Sequence, residues 1–110
     1  MTTRKLTFYA DPGNGWLAVS REDLDTLDIA HKITRYSYER AGRVFLEEDL
    51  DASTYMDAAK AAGWKLTIRE QYQDPSPIRE YAHYQPRVTP AALINAAQRL
   101  GKLHIVNLKG

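Results

Sequence analysis

The sequence contains no cysteine in its 110 residues. A disulfide scaffold, a thiolate nucleophile and a zinc site with thiolate ligands are therefore excluded. A long apolar run is also missing, whereas a helix that crosses a membrane needs about 20 consecutive apolar residues. Residues 1–5 lead directly into an alternating pattern and not into the apolar core of a signal peptide, so we expect an intracellular protein.

An excess of one charge is missing too, because 15 Lys and Arg residues stand against 14 Asp and Glu residues, a formal net charge of +1. Proteins that bind nucleic acid mainly through charge usually carry a basic excess collected on one face. The hydrophobic share of 44% is typical of a globular protein. This length predicts a single domain over residues 1–110, with one core that needs no disulfide or metal.

Apolar periodicity and turn residues predict an α+β fold. Ser20 and Asp23 favour the start of a short helix over residues 21–27. Asp51 or Ser53 can cap a second helix, whose apolar stripe of Tyr55, Ala58, Ala59 and Ala62 ends at Gly63. A third helix is capped by Thr89 and ends at Gly101. Alternation predicts strands at residues 5–10, 16–19, 33–39, 43–48, 64–72 and 103–108. We therefore expect a mainly antiparallel sheet built from hairpins, with three helices packed mostly on one face.

No motif for catalysis, metal binding or cofactor binding is present. His31, His83 and His104 lack the short spacings that are typical of metal-ligand pairs. No serine lies in a GxSxG or SxxK context, and the glycines form neither phosphate-binding loop. We therefore predict no catalytic, metal or cofactor residue and no cofactor, and an enzyme is the third-ranked interpretation.

The acidic run Glu47, Glu48 and Asp49, followed by Leu50 and Asp51, leaves a strand and enters a helix. Acids at this position complement the positive end of the helix dipole, which favours a structural role. The alternative is contact with a basic partner, so Glu47, Glu48 and Asp49 are candidate partner-binding residues.

The stretch from Tyr72 to Arg87 is predicted to be a long irregular loop rich in Tyr and Arg. These residue types are enriched at the hot spots of protein interfaces, and long ordered loops are often functional. Alternatively, its apolar residues pack the loop onto the sheet while Arg79 pairs with an acid such as Glu47. The candidate partner-binding residues of this stretch are Tyr72, Arg79, Tyr81, His83, Tyr84 and Arg87.

Aromatic residues of the predicted third strand permit a further hypothesis. Tyr36 and Tyr38, with Phe45 nearby, resemble the sheet faces that stack single-stranded bases. Cross-strand packing is favoured, because Glu39, Glu47, Glu48 and Asp49 place negative charge around them. A nucleic-acid-binding accessory protein nevertheless stays the alternative function, provided that Arg35, Arg40, Arg43 and Arg79 share a face.

Three segments together resemble a group of small proteins carried by bacteriophages, prophages and plasmids. They are the GWL-x-V turn at residues 15–19, the YSY strand at 36–38 and the LEED segment at 46–49, with a later IR dipeptide, Ile78-Arg79. The resemblance spans residues 5–84. It implies a mobile-element origin and a bacterial cytoplasmic setting, and it transfers no functional residue.

These observations favour a non-catalytic domain that binds a host or phage protein. By analogy with other small phage-borne domains, a counter-defence factor such as an anti-CRISPR protein is one such function. An exposed edge at the first or last strand could also pair two copies.

Overall fold

The first two strands form a hairpin, as the sequence predicts. The computed structural model describes residues 1–86, in which β1 (Thr3–Ala10) and β2 (Gly15–Ser20) pair in antiparallel orientation. Asp11 closes the turn because its Oδ1 accepts the backbone N–H groups of Gly13 and Asn14 at 3.0 and 2.9 Å. This carboxylate satisfies donors that a tight turn would otherwise leave without partners.

The remaining elements extend this hairpin into a six-stranded sheet of order β5-β1-β2-β4-β3-β6. In chain order they are α1 (Arg21–Thr26), β3 (Tyr38–Arg40), β4 (Arg43–Glu47), α2 (Asp51–Ala61), β5 (Lys65–Tyr72) and β6 (Ala82–His83). Two 3₁₀ helices, Ala30–Lys32 and Pro77–Glu80, lie between them. Among residues 1–86, no helix is long and apolar enough to cross a membrane.

The sheet is mixed, which corrects the mainly antiparallel arrangement expected from hairpins. β5 runs parallel to β1 over eight residue pairs, from Thr3 with Lys65 to Ala10 with Tyr72. The cause is a crossover: the chain leaves β4, passes through α2 and returns in the same direction at the far side of the sheet. A parallel connection of this kind needs about a dozen residues, which α2 supplies. The predicted third helix and last strand lie outside the described residues.

The predicted strand over residues 33–39 is wrong for most of its length, because β3 covers only Tyr38–Arg40. The buried carboxylate of Asp51 instead holds residues 34–37, directly before β3, in a turn. Asp51 accepts the backbone N–H of Thr34 at 3.1 Å and the hydroxyl groups of Thr34 and Ser37 at 2.7 and 2.5 Å. Ser37 in turn accepts the N–H of Glu47. Asp51 therefore anchors a turn and does not cap α2, which has no side-chain cap.

The main core lies between the sheet and the two α-helices, and we call this face the helix side. Most of its buried residues come from alternate positions of the strands and from one face of each helix, and Ile29, Ile33 and Tyr84 come from the segments between elements. They are Leu6, Leu17, Val19, Leu24, Ile29, Ile33, Val44, Leu46, Ala52, Tyr55, Ala59 and Tyr84. α1 begins as predicted, because the Ser20 hydroxyl accepts the N–H of Asp23 at 3.1 Å.

The opposite face of the sheet carries a second, smaller core. The segment of residues 73–81, which we call the covering loop, folds back across this face. Its Ile78 is only 2% exposed and packs on Trp16, Ala18 and Phe45. The sequence predicted an irregular loop here, whereas the structure contains a 3₁₀ helix at Pro77–Glu80 whose start is capped by Ser76.

Candidate functional site

Arg79, the central arginine of the predicted binding loop, is paired with Asp11 at the hairpin turn. Its Nε and Nη2 donate to the two Asp11 carboxylate oxygens at 2.6 and 2.9 Å. The guanidinium also lies over the Trp16 ring at 5.2 Å. The expected partner, Glu47, is not used. Two parallel hydrogen bonds of this kind fix both position and orientation, so Arg79 attaches the covering loop to the first hairpin.

This pair changes the ionisation of both side chains. The hydrogen bonds from Arg79, followed by those from the backbone of Asn14 and Gly13, lower the pKa of Asp11 to about 2. The same carboxylate raises the pKa of Arg79. The Asn14 side-chain oxygen, in the orientation that satisfies its hydrogen bonds, accepts from Arg79 at 3.1 Å. The Arg79 guanidinium therefore has its charge balanced within the fold.

The other predicted residues of this stretch fall in different environments. Tyr81 is half-buried against Phe45, with ring centroids 5.2 Å apart. His83 is exposed on β6, where its ring stacks on Tyr38 and its Nδ1 lies 2.8 Å from the carbonyl oxygen of Arg35. Tyr84 is buried in the main core and donates its hydroxyl to the carbonyl of Ala30, and burial raises its pKa. Arg87 lies outside the described residues.

The acidic run divides between two roles. Glu47 is half-buried, and its carboxylate accepts the backbone N–H groups of Asp49 and Leu50 at 2.8 and 3.0 Å. Glu47 thereby organises the entry to α2, in line with the structural interpretation of the run. Glu48 and Asp49 are exposed. Within residues 1–86 neither forms an ion pair.

Glu48 borders a groove of about 270 Å³ on the helix side, between α2 and the strands β1 and β5. We call it the acidic groove, and its lining is otherwise mostly apolar. Tyr72, 62% exposed, follows Ile68 and Glu70 at alternate positions of β5, so all three share the helix side. The groove is lined by Phe8, Leu17, Glu48, Ala52, Ser53, Met56 and Ile68.

Gly15 keeps the floor of this groove in place. A Cβ at Gly15 would overlap the Phe8 ring and would lie 3.2 Å from a Glu48 carboxylate oxygen. The Phe8 ring therefore rests directly on the backbone of β2, and only glycine permits this close approach. Gly15 is the first residue of the GWL-x-V turn, so close packing against Phe8 explains the glycine at this position of the motif.

Sequence reasoning thus found Glu48 but missed the apolar residues that line the groove with it. Met56 lies beside the predicted apolar stripe of α2 and is 42% exposed, while Ile68, which alternates with polar residues along β5, is 40% exposed. A large apolar residue next to an amphipathic stripe is the only local signal for such a position. The parallel pairing of β5 with β1, which forms the groove, has no such local signal.

A partly buried polar cluster lies at the opposite end of the helix side. Arg4 binds Asp23 through two nitrogens, at 2.9 and 3.1 Å, and the Tyr55 hydroxyl donates to the same carboxylate at 3.0 Å. Burial and this neighbouring carboxylate raise the pKa of Tyr55. No buried side-chain nitrogen or oxygen lacks a partner in the part of the chain that the structure describes. Residues 1–86 also contain no group of three or more His, Asp or Glu residues that could hold a metal ion.

The four arginines of the nucleic-acid hypothesis are only partly brought together. Arg40 and Arg43 lie opposite each other on β3 and β4. Their guanidinium groups cover aromatic rings of the opposite face, Tyr81 at 4.9 Å and Phe45 at 6.0 Å. Arg79 shares this face but is bound to Asp11. Arg35 lies in the turn before β3.

Two of the acids that were expected around the aromatic residues are on the helix side. Glu39 binds Arg21 there at 2.8 Å, and Glu48 lines the acidic groove.

Comparisons of the chain with protein-family models, curated proteins and solved structures found no match.

Proposed function

We propose that this chain is a non-catalytic binding domain whose acidic groove receives an apolar segment of a partner protein, flanked by Lys or Arg. One observation carries the proposal: Met56 and Ile68 expose apolar surface in the same groove that Glu48 borders with a carboxylate that forms no ion pair within residues 1–86. Apolar contact supplies most of the affinity of such a site, and the charge at its border selects the partner.

The dimensions of the groove favour a protein segment over an enclosed small molecule. Sites for small ligands usually span roughly 300–1,000 Å³ and bury most of the ligand surface. This groove is smaller, and residues that line it are themselves exposed to solvent. One or two side chains of a partner would fill it, with further contact to Tyr72 at its end.

The charges around the groove set the chemistry of the partner. Glu48 lines it, Glu70 follows Ile68 at the next position on the same face of β5, and Asp57 follows Met56 in α2, all three exposed. No ion pair involves these carboxylates within residues 1–86. A basic flank on the partner would bind them favourably, whereas an acidic flank would be repelled.

The resemblance to small phage, prophage and plasmid proteins extends the proposal to the setting. A domain from a mobile element that binds protein and lacks catalytic motifs would act on a bacterial host protein, for example by inhibiting a defence system such as CRISPR. Anti-CRISPR-like counter-defence is the form of host modulation that this proposal names.

Selection from a random peptide library on the immobilised full chain would test the groove. We expect enrichment of peptides that combine large apolar residues with Lys or Arg. The double variant Met56→Asp/Ile68→Asp should bind the enriched peptides at least about tenfold more weakly, a change of about 1.4 kcal/mol. Both positions are exposed, so the variant should fold.

Tyr36→Ser is the matched control, because Tyr36 is 71% exposed and lies outside the groove. It should leave peptide affinity within about twofold. Glu48→Lys should weaken basic peptides and spare neutral ones. Enriched peptides that lack basic residues, or that bind the double variant as well as they bind the original chain, would contradict the proposal.

A further inference from the structure

Besides Arg79, which is bound to Asp11, five cationic side chains carried by the strands lie on the face of the sheet opposite the helices. Alternation on each strand places them there, because Leu6, Leu66 and Val44, the adjacent residues in sequence, pack in the helix-side core. The hydrogen bond from Arg69 to the Thr7 hydroxyl at 3.3 Å confirms this side for β5. We call this surface the basic face, and its cations are Lys5, Lys65, Arg69, Arg43 and Arg40.

No carboxylate balances these five charges within the described residues. The ion pairs found in residues 1–86 join Arg4 with Asp23, Arg21 with Glu39, and Arg79 with Asp11. Of the acids on this face, Glu47 is engaged with the backbone before α2 and Asp11 with Arg79, while Asp74 and Glu80 of the covering loop are exposed and form no ion pair within residues 1–86. The exposed acids of the α-helices and of β5 lie on the helix side.

Arg40 and Arg43 carry the strongest indication of an anionic occupant. They are directly opposite each other in the β3–β4 ladder. Like charges in this arrangement destabilise a sheet. Each guanidinium is held over an aromatic ring, and neither forms an ion pair in residues 1–86. An anion bound between them would turn the repulsion into a favourable contact.

We propose that the basic face binds single-stranded nucleic acid through its phosphates. Four of these cations, Lys65, Lys5, Arg43 and Arg40, lie beside the covering loop, at the end of the sheet where β1, β4 and β5 begin. From β5 to β3 they span four strand spacings, about 19 Å at about 4.8 Å each, which accommodates several phosphates in succession. Thr7, Thr67 and Gln71 add polar side chains between the cations. This surface lies apart from the acidic groove, so the two proposals stand or fall separately.

The shape of the face favours a single strand over a duplex. Reading duplex DNA requires a helix or a β-ribbon that enters a groove, whereas these cations lie on the strands of a sheet. Two half-buried aromatic residues border them: Tyr9 follows Thr7 on the same face of β1, and Tyr81 contacts Arg40. Unpaired bases stack on tyrosine rings with little dependence on sequence.

Fluorescence anisotropy of labelled oligo-dT and oligo-rU, roughly 12 nucleotides long, would test this proposal. The full chain should bind both, with affinity that falls steeply between about 50 and 200 mM salt. Lys5→Gln/Lys65→Gln/Arg69→Gln should lower the affinity at least tenfold. It should also reduce the slope of log K against log salt by about 2, since each lost phosphate contact removes about 0.7.

Lys32→Gln/Arg35→Gln/Lys60→Gln is the matched control, since it removes the same charge from exposed residues outside the strands of the basic face. It should keep the affinity within about twofold. The single change Arg69→Gln, with a slope reduction of about 0.7, guards against misfolding of the triple variant. Equal losses in the two triple variants, absence of binding at low salt, tighter binding of duplex DNA, or equal binding of poly-glutamate would each overturn the proposal.

Discussion

The apolar residues on the two faces of the sheet are buried under different kinds of cover. On the helix side, α1 and α2 cover one continuous core of twelve buried residues, as named above. On the opposite face, four buried residues, Trp16, Ala18, Phe45 and Ile78, form the core beneath the covering loop. Two α-helices thus cover one face, and a short loop with a single 3₁₀ helix covers the other. We therefore expect the polar contacts that hold the two covers to contribute differently to stability.

The polar anchor on the helix side is fully buried. Asp51 has no exposed surface and receives hydrogen bonds from Thr34 and Ser37. On the opposite face, Arg79 reaches Asp11 from a side chain that is 41% exposed. A buried charge that loses its partners is costly, whereas water can replace a half-exposed one. The comparison therefore predicts a larger effect on the helix side.

Asp51→Ala should have the largest effect of the changes considered. It leaves the N–H of Thr34 and the hydroxyl groups of Thr34 and Ser37 without their acceptor. We expect the free energy of unfolding to fall by about 3 kcal/mol, measured by urea denaturation. Asp57→Ala, an exposed change in the same helix, is the control and should stay within about 0.5 kcal/mol. Similar losses for both variants would contradict the anchoring role of Asp51.

Ile78→Ala tests the cover of the opposite face. Burial of this side chain on Trp16 and Phe45 predicts a loss of about 2–3 kcal/mol in the free energy of unfolding. The low end of the usual range applies because a short loop can relax into the space. Trp16, which is 2% exposed, should become more accessible and its fluorescence should shift to longer wavelength.

Ile68→Ala is the matched control for this change, because the Ile68 side chain is already 40% exposed. It should cost less than about 1 kcal/mol and leave the Trp16 signal unchanged. If Ile78→Ala proves no more costly than Ile68→Ala, the covering loop does not stabilise the sheet as described.

The Asp11–Arg79 pair should give the smallest effect, visible as pH dependence. The pKa of Asp11 is about 2 in the folded chain and near 3.8 in the absence of these contacts. Above about pH 4 the stabilisation is fully present, and it is lost as the pH falls towards about 2 because the unfolded state binds the proton first. Urea midpoints between about pH 5 and 2 should therefore decline less in Asp11→Asn and in Arg79→Met than in the original chain. Equal declines in all three proteins would contradict the pairing.

The helix side was largely predictable because its signals are local. Ser20 with Asp23 predicted the start of α1, and the stripe of Tyr55 and Ala59 predicted the buried face of α2. The alternation of Leu6 and Phe8 likewise predicted β1 and its side. Each of these patterns depends on neighbours within one or two turns, so sequence periodicity suffices.

The opposite face was not predictable in this way. Its cover depends on contacts between distant parts of the chain, such as Arg79 with Asp11, 68 residues apart in sequence. The sequence suggested Glu47 as the partner of Arg79. Asp11 and Glu47 carry the same charge, and only the path of the covering loop decides which of them Arg79 reaches. The failed strand at residues 33–37 has a similar cause, since the Asp51 carboxylate 14 to 17 residues later decides the local turn.

The sequence by itself determined the absence of thiol chemistry, the first hairpin, both described helices and their buried faces. These follow from composition and from short periods of 2 and 3.6 residues. Only the tertiary structure decided that β5 lies parallel to β1, that Glu48 meets Met56 and Ile68 in one groove, and that five cations share the opposite face. Strand order sets all three, and strand order depends on how a crossover packs on the sheet and not on any local pattern.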